Sequence, residues 1–175
     1  REHVVDFNKP ASVRTAAKAD DVYCCLGTTI KKAGSREAFR MVDFTYPVNL
    51  AREALSSGAK RFFIITDMGS NPDSRIFYNR VKGDVEEAVR ALHFESVHIF
   101  RPSLLLGDRT EVRTAEKIGG TMARFLTPLM VGPLRAYRAI QARAVAWAMV
   151  YSAIAHLPGG VMESREIQAA WDMRK

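Results

Sequence analysis

The sequence predicts an α/β fold with a doubly wound parallel sheet. Three observations predict it. Short β-branched and aromatic runs, Val22 to Leu26, Phe62 to Thr66 and Val97 to Phe100, read as buried strands. Segments of helical period separate them, so strand and helix alternate. Turn-forming clusters then close each run: Gly27-Thr28-Thr29, Asp67 to Asp73, and Pro102-Ser103.

In chain order, Val4, Val5 and Asp6 are expected to end a strand, with the Asp6 carboxylate at its tip. Pro10 suits the first turn of a short helix reaching about Lys18, which Asp20-Asp21 breaks. At the end of the Val22 strand, Gly27 lets a ligand approach the backbone closely. The hydroxyls of Thr28 and Thr29 suit phosphate or ribose, or merely cap a turn. Lys31 to Arg36 reads as a basic loop. A helix then runs from about Phe39 to Ser57, interrupted near Pro47 and stopped at Gly58. After the third strand, a helix carries Val81, Val85, Val89 and Leu92 on one stripe. Pro102 closes the fourth strand, since it cannot donate to a ladder. Beyond Gly107 the pattern turns helical: about Thr114 to Leu126, Ala142 to His156 and Arg165 to Met173, with a Pro/Gly-rich connection from Thr127 to Leu134. We expect one domain over residues 1–175, with a sheet core in 1–107. Residues 108–175 would then cap the sheet's carboxyl edge, where ligands of such folds bind.

Composition narrows the function. A chain of 175 residues, 47% hydrophobic and 26% charged, can build a proper core. The net charge is +7, but the 26 basic residues are scattered, with no run of five or more. That argues against nucleic acid and fits an anionic small ligand. The apolar stretch between Arg143 and His156 is too short to span a bilayer and reads as a buried helix. Cys24 and Cys25 should point to opposite faces of their strand, so reduced, buried thiols and a cytoplasmic location are expected; the residues show no signal peptide, and a missing start would leave room for an N-terminal targeting segment.

The chemistry concentrates in Tyr78-x-x-x-Lys82. At about 100° per residue the two side chains stand one turn apart on the same helix. Lys82 falls on the edge of the apolar stripe, an unusual place for a lysine. A phenol ionises near pH ~10, too high for a base at neutral pH, and a neighbouring ammonium lowers that value. Such a pair suits proton transfer in carbonyl/alcohol redox chemistry. Read blandly, Tyr78 is a core tyrosine and Lys82 pairs with Glu86 one turn on.

Six blocks extend the signal: CLGTT from Cys25, VD at Val42-Asp43, NLAREA from Asn49, KRFFIIT from Lys60, SRIFYNRVKGDVE from Ser74 and FRPSLLLGDR from Phe100. In this order they resemble the atypical short-chain dehydrogenase/reductases, in the Tat-interacting-protein-like and oxidoreductase-like branch, over about residues 3 to 157. The resemblance implies a Rossmann-type domain binding NADP(H), more so than NAD(H), and an unknown small-molecule substrate. It implies Tyr78 as acid/base and Lys82 as the lysine that holds the nicotinamide ribose. It places Asp6 against the adenine, Cys25, Leu26, Gly27 and Thr28 along the cofactor, and Pro102, Ser103 and Leu104 facing the nicotinamide. Asp43 falls where many relatives carry the relay asparagine.

Three departures stand out. The glycine-rich loop after the family's first strand is absent, together with that strand, its helix and the second strand. Strand order 3-2-1-4-5-6 would then lack its centre, leaving buried backbone groups unpaired at about 1–3 kcal/mol each. An N-terminal segment of roughly 50–60 residues is therefore expected to be missing. The family's two serines before the tyrosine are here Thr66 and Asp67. An ionised aspartate cannot donate to a carbonyl, whereas Thr66 or Ser70 can. Asp43 replaces the relay amide. Two functions fit: an NADP(H)-dependent oxidoreductase on a small carbonyl or alcohol, or a cofactor-binding regulatory protein that engages a protein partner with little catalysis. Neither calls for a metal.

Overall fold

In the computed structural model, residues 2–106 and 138–174 are described. The expected helix Thr114 to Leu126 and the connection Thr127 to Leu134 lie outside them. The chain divides into two compact units, residues 1–99 with 158–161, and residues 100–157 with 162–175.

The first unit begins with α1 (Pro10–Ala16), β1 (Asp21–Cys24), α2 (Ile30–Ala33) and α3 (Arg36–Arg40). A π-helical turn, Met41–Thr45, leads without a break into α4 (Tyr46–Ser56). Next come β2 (Arg61–Ile65), α5 (Phe77–Arg90) and β3 (Ser96–Arg101). β1 and β2 pair in parallel, Val22 opposite Phe62 and Cys24 opposite Ile64. With β6 (Gly160–Glu163), the sheet order is β1–β2–β3–β6. The alternation of side chains along each strand sorts the core. Val22, Cys24, Phe62, Ile64 and Ile99 meet Val48, Ala51 and Ala54 of α4 and Val85 and Val89 of α5. Each large side chain buried there contributes about 1.5–3 kcal/mol. In-between positions Tyr23, Phe63 and His98 stack ring on ring across the three strands, at 4.6 and 4.5 Å. The parallel α/β sheet with flanking helices is the architecture that the alternation of strand and helix predicts.

Three local expectations are corrected. Val4 to Asp6 form no strand; Val4 is 99% exposed. The Asp6 N–H donates to Ser12 Oγ, and its carbonyl accepts from Lys9, so both backbone groups serve the entry to α1 instead of a ladder. Lys31 to Arg36 is not a loop. Thr29 Oγ1 accepts the Lys32 N–H and Ser35 Oγ the Ala38 N–H, capping two short helices. The interruption expected near Pro47 falls instead at the π turn. Proline lacks an N–H and crowds the carbonyl four residues back, here that of Asp43. The wider turn, closed by the Tyr46 N–H on Met41 O, takes up that misfit. The expectation of two buried thiols is corrected in part: both cysteines are free, but only Cys24 is buried, and Cys25 is exposed.

In the second unit, β4 (Leu105–Leu106) pairs in parallel with β5 (Ile140–Gln141), and α6 (Ala142–Ile154) packs on α7 (Ser164–Asp172). Trp147 stacks on Tyr151 and meets Trp171 edge-on. A capping box between Glu163 and Glu166 starts α7. The expectation of a buried helix before His156 is corrected in part: Ala144, Val145, Ala148 and Met149 are buried, but Val150, Tyr151 and Ile154 are exposed. Periodicity could not show this, because the helix is apolar on every side.

Candidate active site

The site forms where β1 ends, against the first turns of α5. Past Cys24 the chain leaves the sheet through exposed Cys25, half-buried Leu26 and exposed Gly27. The Thr28 N–H then donates to Asp43 Oδ2 at 2.9 Å. Asp43 sits in the π turn and is 1% exposed. Its other oxygen, Oδ1, lies 2.7 Å from Lys82 Nζ, and both side chains are almost wholly enclosed. This is a close ion pair without the angle of a hydrogen bond at Oδ1. A β-carbon added to Gly27 would sit 3.4 Å from Asp43 Oδ1 and 3.7 Å from Lys82 Nζ, so the Gly27 backbone lies directly over the pair.

Tyr78 is half-buried, its ring 5.4 Å from that of Phe39. Phe39 and Asp43 lie four residues apart on the α3–π segment, as Tyr78 and Lys82 do on α5. The two pairs meet face to face, phenol on phenyl and ammonium on carboxylate. Tyr78 and Lys82 therefore share the face of α5 that looks at the π turn.

The expected depression of the phenol is corrected. The Tyr78 hydroxyl is pushed up to about 12, by burial first, then by the Asp67 and Asp43 carboxylates. The Lys82 ammonium is engaged by Asp43. Burial likewise pushes the Cys24 thiol up to about 12.

The hydroxyls expected beside Tyr78 have partners within the protein. Thr66 Oγ1 donates to Glu86 Oε1 at 2.6 Å inside the core, so its proton is committed to a carboxylate. Glu86, the bland partner for Lys82, is held instead by Thr66 and, at 3.2 Å, by Arg90. Asp67 closes a turn: its Oδ1 accepts the Gly69 N–H and its carbonyl the Ser70 N–H. Ser70 Oγ is buried and accepts the Asp67 N–H.

Residues that the sequence reading missed hold this loop. Asn71 donates its N–H to Asn79 O, and Arg80 donates to Ser74 O. At Gly83 the Asn71-Pro72 backbone comes so close that a β-carbon would sit 2.2 Å from Pro72 N. The signal was a glycine inside a helical pattern, which costs helix stability and marks a close approach.

The other expected ligand residues are placed as follows. Asp6 is exposed; the Asn8 N–H on its Oδ1 is the first cause holding its carboxyl below the usual range. Pro102 and Ser103 are buried and Leu104 is exposed, all in the second unit. Ser103 Oγ donates to Arg138 O and meets Ser164 Oγ at 2.9 Å. That unit holds a cavity of about 450 Å³ bordered by Arg138, Ser164, Arg165, Gln168 and Asp172. Among the described residues no His/Cys/Asp/Glu cluster suits a metal ion, and no helix is long and apolar enough to cross a membrane.

No family model matches the chain. It is 40% identical over 116 residues to protein HTATIP2 of Rattus norvegicus, covering 66% of this chain and 48% of that one. It is 32% identical over 148 residues to the mitochondrial protein FMP52 of Coccidioides immitis, covering 84% and 60%. The chain thus spans roughly half the length of these curated relatives. Among solved structures, the Bordetella bronchiseptica enzyme WbmG in complex with NAD aligns at a TM-score of 0.64 and 14% identity, covering 95% of this chain and 59% of that one. RMD from Pseudomonas aeruginosa complexed with NADPH aligns at 0.65 and 15%, covering 97% and 70%. The fold is Rossmann-type, as in these solved structures. In sequence the chain is similar to the HTATIP2 and FMP52 proteins, which supports the resemblance to the atypical short-chain dehydrogenase/reductases.

Proposed function

We propose that the chain, as one domain, belongs to an NAD(P)-dependent oxidoreductase acting on a small carbonyl or alcohol, with NADP(H) preferred. The observation that carries this reading is the enclosed Lys82 ammonium under the Gly27 backbone, on the same α5 face as Tyr78. The residues suit a nicotinamide dinucleotide. Glycine leaves the end of β1 free of side chain, and a buried ammonium suits paired ribose hydroxyls. When bound, that group would supply or accept a hydride. Lys82 would hold the ribose, and Cys25, Leu26, Gly27 and Thr28 would border it. Pro102, Ser103 and Leu104 would face the nicotinamide, and Asp6 the adenine. Tyr78 would hand its proton to the carbonyl oxygen. Neighbours solved with NAD and with NADPH support the cofactor class.

A second reading keeps the cofactor and drops the turnover: a dinucleotide-binding regulatory protein with a protein partner. The commitment of Thr66 to Glu86 and of Asp67 to its turn favours it, since neither then donates to a substrate carbonyl. As for location, the FMP52 relatives are named as mitochondrial, which sets that compartment beside the cytoplasm. Titrating the full-length protein into NADPH and NADH tests the shared premise. Both readings require enhanced nucleotide fluorescence that weakens at least tenfold in Lys82→Ala. Unchanged binding in that variant removes Lys82 from the ribose.

A further inference from the structure

We propose that the cavity of the second unit is a binding site for a small anion that also carries a hydroxyl group, either a hydroxy acid or a phosphate ester. Every group involved belongs to the second unit, so the site stands whether or not the redox reading holds.

The cavity, of about 450 Å³, is in the range that encloses small-molecule ligands. One wall is a single stripe of α7, in which Ser164, Gln168 and Asp172 recur at one-turn spacing with Arg165 beside them. The facing wall is the approach to β5, from Arg138 to Ile140. The other side of α7, with Ile167 and Ala170, is buried.

Charge sets the first requirement on the ligand. The acids of this helix are engaged. Glu163 pairs with Arg101 at 3.1 Å, Glu166 Oε2 takes the Glu163 N–H at 2.7 Å, and Asp172 Oδ1 takes Gln168 Nε2 at 2.9 Å. Arg165 is exposed and has no carboxylate partner among the described residues. Its planar fork of N–H groups matches two oxygens of a carboxylate or a phosphate at once. Arg138 brings a second guanidinium-bearing residue to the opposite wall.

Ser164 sets the second requirement. Its hydroxyl is buried and lies 2.9 Å from Ser103 Oγ. Ser103 spends its only hydroxyl proton on the Arg138 carbonyl, which accepts and never donates. At the Ser103–Ser164 contact the proton is therefore that of Ser164. Ser164 meets the cavity with lone pairs alone, and these call for a donor. A bare anion has no donor, whereas a hydroxyl does. The guanidinium and the hydroxyl oxygen belong to adjacent residues, so one small molecule can satisfy both.

The test is isothermal titration calorimetry of the full chain in low salt, with glycerol 3-phosphate, glycerate, propionate and glycerol as probes. Wild type is expected to bind the first two. Propionate lacks hydroxyls and glycerol lacks charge, and each should bind weaker by about tenfold or more. Arg165→Gln should weaken both hydroxylated anions by about tenfold or more, with an unchanged melting temperature. Arg143→Gln, at an exposed arginine outside the cavity, should leave them unchanged. Ser164→Ala should lower glycerate to the level of propionate and leave propionate as it was. The tighter of the two hydroxylated anions names the ligand, phosphate ester or hydroxy acid, and either order supports the site. No binding of any probe, an equal loss in Arg165→Gln and Arg143→Gln, or glycerate held no better than propionate overturns the proposal.

Discussion

Lys82 Nζ and Asp43 Oδ1 lie 2.7 Å apart, with both side chains almost wholly enclosed. Each charge is tolerable inside the protein because of the other. Everything else at the site is arranged around that contact: the Gly27 backbone above it, the Thr28 N–H behind it, Tyr78 one helical turn away.

Removing the ammonium alone should therefore be costly. Lys82→Met leaves a buried carboxylate without its cation and is expected to lower stability by about 3–5 kcal/mol. Adding Asp43→Asn removes the orphaned charge and should restore most of the loss. Urea unfolding of the single and double variants measures both. A single variant as stable as wild type would show that the pair is open to water.

Gly83→Ala should disturb the loop before Tyr78. The added carbon meets backbone, at 2.2 and 2.3 Å from Pro72 and Asn71, and no rotamer change can relieve it. A loss of about 1–3 kcal/mol is expected, with faster proteolysis between Gly69 and Ile76. Limited digestion followed by mass spectrometry checks the site of cutting. An unchanged pattern would mean that the loop does not rest on Gly83.

Thr66→Val separates a structural hydroxyl from a catalytic one. Glu86 would keep Arg90 but lose its buried donor, at about 1–3 kcal/mol. Thermal unfolding should show the loss in Thr66→Val and not in Thr66→Ser. A stable valine variant that loses activity alone would return Thr66 to the substrate.

Alkali should destabilise the fold in a defined window. Cys24, with an ordinary value of 9.0, and Tyr78, with one of 10.0, are both pushed up to about 12 in the fold. Each keeps its proton in the folded chain where the unfolded chain has lost it. Their stabilising effect is whole below pH ~9 and is lost as pH rises from there through ~12. The melting temperature should fall across pH 9 to 11, less steeply in Cys24→Ala. A flat wild-type profile would place both groups in contact with solvent.

Much of this was legible in the sequence, for identifiable reasons. Phe62 to Ile65 and Val97 to Phe100 announce themselves as strands because full burial imposes a short, β-branched run. Lys82 stood out because a lysine at the edge of an apolar stripe must be matched by something. What matched it was hidden: Asp43 lies 39 residues away in sequence, and only the fold brings it under Gly27. The π turn was hidden for the same reason, since a register change within a helix leaves little mark beyond Pro47. Val4 to Asp6 misled because local pattern cannot reveal whether a ladder is there to join. Residues 160–163 were missed because Gly160 opens the strand and only four residues follow the β pattern.

The measurement that tests the central claim most directly is NADPH consumption by the full-length protein against aldehydes, ketones and quinones, compared with Tyr78→Phe. The account predicts turnover of at least one carbonyl by wild type, and a loss of roughly 10²–10⁴-fold in the phenylalanine variant with NADPH binding retained. Binding without any turnover in wild type, or turnover that Tyr78→Phe leaves intact, would contradict it.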